Sequence, residues 1–154
     1  AGQLPLADVL EQALQLLSPR IRSEQVEVFR QVPTEATVRG DAIRLEQVLI
    51  NLLHNALDAM AERPQRRLRI LCRRVGDAWQ LSVADNGGGI ASEHLDQVFE
   101  PFFTTKPVGQ GLGLGLAVSY GIVRDMGGTL EVSNDEQGAV FTLTLPAAEV
   151  HAAE

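Results

Sequence analysis

The run of apolar residues between Leu45 and Met60 constrains the fold more than any other stretch. Leu45, Val48, Leu49, Leu52, Leu53, Ala56, Leu57 and Met60 recur at threes and fours. They predict a helix over about 42–61 with one broad apolar stripe, and Asp41 stands where an N-cap belongs. Such a helix is core-forming and must be covered by other elements. On a different face it carries Asn51, Asn55 and Asp58, spaced by four and three. Asparagine costs helix propensity that Glu, Lys or Arg would not, so these short polar groups are either a solvated face or a site.

The rest of the chain supplies what could cover that stripe. Leu6, Val9, Leu10, Ala13, Leu14 and Leu17 predict a first amphipathic helix ending near Ser18 and Pro19. Strands are expected over 25–32, 37–40, 67–75 and 79–84, the last two joined by a turn at Gly76 and Asp77. A hairpin is expected from 129–133 and 139–145 around Asn134 to Gly138. Between these lies a short helix over 92–98, then Phe99 to Lys106, where Pro101 and Pro107 favour an ordered loop anchored by Phe99, Phe102 and Phe103. With 154 residues, 45% of them hydrophobic, the chain fits a single domain with a core over about 6–146 and a frayed tail over 147–154. Its opening, AGQLPL, reads as mid-protein sequence.

Charge and composition narrow the function. A net charge of −7 argues against nucleic acid as partner, because phosphate-backbone contacts need a clustered basic surface. No apolar run approaches the roughly 18 residues of a membrane span, and the basic-then-apolar order of a signal peptide is missing. The lone Cys72 reads as a core residue and fits a reducing compartment.

Two further segments carry chemistry. GQGLGLG at 109–115 runs into LAVSYGIVRDM, so a bare backbone feeds a helix N-terminus, which outlines a phosphate site. Taken alone, the alternation serves a hinge or a close packing contact equally well. DNGGGI at 85–90 puts a carboxylate at a strand end before a sharp turn, and an ordinary Asp-Asn-Gly turn reads the same way.

Together these segments are recognisable. RLEQVLINLLHNALDAM, DNGGGI, FEPFFTTK and GQGLGLGLAVSYGIV resemble, in order, the N box, first glycine box, F box and second glycine box of sensor histidine kinases. GGTLEVSN with GAVFTLTLP is similar to the ending of that family's ATP-binding domain, and FEPFFTTK is most similar to the nitrogen-regulation and C4-dicarboxylate-transport sensors. The P-loop and Rossmann fingerprints are absent.

The resemblance implies an α/β (α+β) two-layer sandwich, a mixed, mostly antiparallel sheet with helices on one face. ATP and Mg²⁺ would lie between the asparagine helix and a lid. Asn55 would ligate the metal and Asn51 would orient phosphate or water, while Asp58 lines the nucleotide without an assigned role. Asp85 would accept from the adenine amine and reject guanine, with Gly87, Gly89 and Ile90 beside the purine. Phe103, Thr104, Thr105 and Lys106 would belong to the lid. Lys106, the only lysine, could reach the terminal phosphate, although a solvated loop lysine reads the same way. Gly111, Leu112, Gly113, Leu114 and Gly115 would surround the phosphates, and Thr142 would contribute from the last strand. None of His54, His94 and His151 has an H-E-x-x-[NR]-P setting, so the accepting histidine is expected on a separate dimerisation domain, with a response regulator as the next partner. The isolated piece would be monomeric and cytoplasmic. The rivals are a hydrolysing ATPase clamp of the same superfamily, against which the lack of a glutamate at position 51 counts, and a nucleotide sensor without turnover.

Overall fold

The computed structural model describes residues 2–104 and 114–148. In chain order they form β1 (Gly2–Pro5), α1 (Leu6–Ser23), β2 (Val26–Gln31), β3 (Thr37–Gly40) and α2 (Ala42–Ala59). These are followed by β4 (Arg66–Val75), β5 (Ala78–Ala84), α3 (Gly115–Asp125), β6 (Thr129–Asn134) and β7 (Ala139–Pro146). The main sheet runs β2-β4-β5-β7-β6, parallel only between β2 and β4, and β1 pairs with β3 in a separate antiparallel ribbon.

Period-two alternation sends one set of side chains from every strand to the same face. Cys72, Leu81, Leu143 and Leu130 align across β4, β5, β7 and β6, with Ile70, Val83, Phe141 and Val132 as the neighbouring row. The stripe of α2 and the inner faces of α1 and α3 pack on these rows, so the helices form one layer on the sheet as expected. Asp41 caps α2, its carboxylate accepting from the Ile43 and Arg44 amides at 2.9 and 3.3 Å.

Four expectations need correction. α1 runs through Pro19 to Ser23, because the Ser18 hydroxyl donates to the Gln15 carbonyl at 3.0 Å and occupies the acceptor that proline's missing N–H abandons. β1 went unseen, since four residues carry little pattern and their pairing with β3 is non-local. Residues 92–98 form a single 3-10 turn, Ser92–His94, followed by linked i→i+3 turns. Pro101 disfavours helical geometry at Glu100, and the turns let Val98 drop into the core. Finally, Ala147 and Ala148 are buried, and their amides bond the Asp77 and Thr37 carbonyls at 2.9 Å each, so any frayed tail starts beyond them. Residues 149–154 lie outside the described residues.

Cys72 is a core residue. Burial pushes its thiol up to about 11, so almost none is thiolate near neutral pH. Native protein should resist alkylation by iodoacetamide at pH 7.5 while denatured protein reacts, and rapid native labelling read by mass spectrometry would contradict this placement. No described helix is long and apolar enough to cross a membrane.

Candidate nucleotide site

A cavity of about 680 Å³ lies between α2, the loop after β5, the Phe103 segment and the start of α3, a volume in the range of small-molecule sites. Phe141 and Ala139 of β7 line it from the sheet side.

Asp85, at the end of β5, is 1% exposed and lines this cavity. Its Oδ1 accepts from the Gly87 amide at 2.8 Å and the Ala139 amide at 3.3 Å. Oδ2 has no donor among the described residues. Burial pushes the carboxyl above the ordinary range, and the two amide bonds offset only part of that. A buried acceptor with an unfilled lone pair, on a side chain that lines a cavity, asks for a donor from a ligand.

The glycines have local reasons to be glycine. A Cβ at Gly87 would stand 2.3 Å from the Ala59 carbonyl oxygen, and one at Gly138 would stand 2.5 Å from Asp85 Oδ1. Gly89 has φ +90°, and a Cβ there would sit 2.9 Å from Asn134 Oδ1. Close approach is therefore to protein at all three. Asn134 grips Ile90 from both sides, accepting from its amide at 2.9 Å and donating to its carbonyl at 2.8 Å. Asn86 holds the other flank, donating to the Gln65 carbonyl at 2.9 Å and accepting from the Arg67 amide at 3.0 Å. Sequence reasoning saw Asn86 and Asn134 only as turn residues. Their amide ends can satisfy a peptide N–H and a C=O at once, which is the available signal.

Asn51, Asn55 and Asp58 share one wall of the cavity. Asn51 is engaged across it, its amide donating to the Gly115 carbonyl at 3.1 Å and the buried Ser119 hydroxyl at 3.0 Å. The Asn55 side chain makes no hydrogen bond to a described residue. Asp58 accepts from Arg20 at 2.8 Å.

Gly89, Ile90, Phe103 and Thr104 line the cavity, as do Leu114 and Gly115 at the start of α3. Phe103 packs edge-on against His94 with centroids 5.3 Å apart, and Phe99 lies 5.2 Å from Tyr120 and 6.1 Å from Phe141. Both are anchors, whereas Phe102 is exposed, with φ +68°. Thr142 does not join the site, because alternation along β7 turns it to the face opposite Phe141. Thr105, Lys106, Gly111, Leu112 and Gly113 lie outside the described residues. His54 and His94, weighed in the sequence only as phosphate acceptors, both line the cavity.

A helix-covered mixed sheet, with a buried acid at a strand end and two helix amides lining one cavity, defines an α/β sandwich with a small-molecule site. Residues 40–149 match the family described as histidine kinase-, DNA gyrase B-, and HSP90-like ATPase, and the chain belongs to it. It is 49% identical over 146 residues to the two-component sensor PprA of Pseudomonas aeruginosa, covering 90% of this chain and 16% of that protein. It is 41% identical to the C4-dicarboxylate transport sensor protein DctB of Rhizobium meliloti, covering 94% and 23%. The chain thus spans less than a quarter of either relative. Among solved structures, the catalytic domain of histidine kinase ThkA superposes with a TM-score of 0.85 at 32% identity, covering 96% of this chain and 95% of that one. ThkA in complex with response regulator protein TrrA gives 0.82 at 28%, covering 96% and 42%. The fold is that of a histidine kinase catalytic domain.

Proposed function

We propose that this chain is the single, ATP-binding catalytic domain of a two-component sensor histidine kinase, working on the cytoplasmic side of its parent protein. It binds Mg-ATP and passes the γ-phosphoryl group to a histidine on a separate dimerisation domain, from which a response regulator collects it. The observation that carries the reading is Asp85, a buried carboxylate that lines the cavity and whose Oδ2 has no donor among the described residues. The adenine amine supplies that donor, whereas the guanine carbonyl would meet it as a second acceptor. The likeness to ThkA, a kinase solved with a response regulator, supports a response regulator as partner.

The remaining residues take roles on that footing. Among the described residues no group of three or more His, Cys, Asp or Glu is placed to hold a metal ion. Asn55 suits Mg²⁺ in such surroundings, because a hard cation accepts one neutral amide oxygen and fills its shell with water and phosphate. Bound Mg²⁺ would neutralise phosphate charge as the γ-group moves. Asn51, bonded to Gly115 and Ser119, ties this helix to the one that follows the glycine run. Lys106, Gly111 and Gly113 are assigned to the phosphates. The domain's own contribution is positioning and charge stabilisation.

The test is transfer from labelled ATP to an added histidine-hairpin fragment. Transfer supports the kinase; hydrolysis without transfer would move the assignment to an ATPase clamp, and binding without turnover to a sensor. For the metal, Asn55→Ala should weaken Mg-ATP binding by about tenfold or more and leave ATP binding in EDTA unchanged. An equal loss in both conditions, read by calorimetry, would remove Asn55 from the metal.

A further inference from the structure

One polar cluster on the cavity wall is left without a task. Arg20, in the last turn of α1, reaches across to α2, donating from Nη2 to Asp58 Oδ1 at 2.8 Å and from Nε to Glu24 at 2.8 Å. Its Nη1 stands 3.2 Å from His54 Nδ1. A guanidinium only donates, so Nδ1 is the acceptor and the ring N–H lies on Nε2. His54 and Asp58 both line the cavity.

Their place along α2 indicates what they meet. Gly115 and the chain leaving the glycine run pack on Asn51, which marks the phosphate end. Gly87, two residues past Asp85, packs on Ala59, which marks the purine end. At a rise of about 1.5 Å per residue, His54 stands about 4.5 Å beyond Asn51, beside Asn55, and Asp58 about 10.5 Å beyond it, beside Ala59, so the pair that Arg20 ties together straddles the stretch between the two ends. In a nucleotide the group between base and phosphates is the sugar. A donor and a carboxylate side by side match hydroxyls that both accept and donate, while a second carboxylate, Glu24, on the same guanidinium leaves the cluster net acidic and repels phosphate.

We infer that His54 and Asp58 form a sugar-hydroxyl subsite of the nucleotide cavity, with Arg20 as the positioning residue that fixes the imidazole tautomer and the carboxylate together. The inference rests on the nucleotide reading above and adds a preference for ribonucleotides to it.

Binding of ATP and of 2′,3′-dideoxyATP to the wild-type chain, measured by calorimetry with Mg²⁺ present, tests it. ATP should bind about tenfold more tightly, the yield of one or two net hydrogen bonds. His54→Ala should remove most of that preference while leaving dideoxyATP binding unchanged. His54→Gln, whose amide N–H falls near the place of Nε2, should restore part of it, and Arg20→Met should erode it without touching dideoxyATP. Equal affinity of the wild type for both nucleotides overturns the subsite and leaves the nucleotide reading intact. So does an equal loss for both on His54→Ala. Failure of the wild-type chain to bind any adenine nucleotide overturns the nucleotide reading and the subsite with it.

Discussion

Asp85→Asn is expected to weaken ATP binding about a hundredfold or more and, in the same molecule, to raise the thermal stability of the unliganded chain at neutral pH. The amide keeps Oδ1 as acceptor for the Gly87 and Ala139 amides but puts NH₂ where Oδ2 stood. That NH₂ meets the adenine amine donor to donor, a mismatch of buried polar groups that hydrogen-bonding sites reject strongly. Stability moves the other way, because burial raises the Asp85 carboxyl above its ordinary value. Below the unfolded carboxylate's range both states hold the proton and the group contributes nothing. As pH rises through the window between the ordinary and the raised value, the unfolded chain ionises more readily and the folded state loses ground. Above that window the loss is complete, and Asp85→Asn removes it. Melting curves should therefore separate variant from wild type at pH 7 and converge as pH falls below the ordinary carboxylate range. The preference for ATP over GTP should shrink too, since the new NH₂ can donate to the guanine carbonyl. Unchanged ATP affinity would take Asp85 out of the site. A variant less stable at pH 7 would show that the carboxylate's charge strengthens its two amide bonds by more than burial penalises it.

How much of this could be read without coordinates depends on whether the cause is local. The stripe of α2 and the Asp41 cap are set by residues within a turn of one another, and both are as expected. Pro19 misled because the rule for proline ignores the preceding side chain, and Ser18 supplies the cure. Asn51 and Asp58 were recognised as one face, but their partners come from α3 and α1, separations of 64, 68 and 38 residues that no periodicity reports. The same holds for Asn134, whose grip on Ile90 spans 44 residues. Thr142 is a different kind of miss. The alternation of Ala139, Phe141 and Leu143 already put it on the other face of β7, and a role implied by resemblance was set above that signal.

The second large effect is expected at Gly87, where the site and the core share one contact. A Cβ there would come within 2.3 Å of the Ala59 carbonyl oxygen and 2.7 Å of its carbon, both backbone atoms of the last turn of α2. Neither side can yield cheaply: the helix turn is held by buried Ala56, Leu57 and Met60, and the loop is held by Asn86 and Asn134. Gly87→Ala should therefore cost about 1–3 kcal/mol of stability, the usual range for overpacking, and should weaken ATP binding as well. The loss of binding follows because pushing the loop outward moves the amide that donates to Asp85 Oδ1 at 2.8 Å. Gly121 provides the contrast, since a Cβ there meets nothing within 4 Å on an α3 position of ordinary helical geometry. Gly121→Ala should stabilise by about 0.5–1 kcal/mol and leave ATP binding alone, because it only restricts the unfolded chain. Urea unfolding with and without ATP reads both variants. If Gly87→Ala lost stability but bound ATP normally, the loop's contact with Ala59 would be a matter of packing, and the placement of Asp85 would have to be held by the β7 side alone.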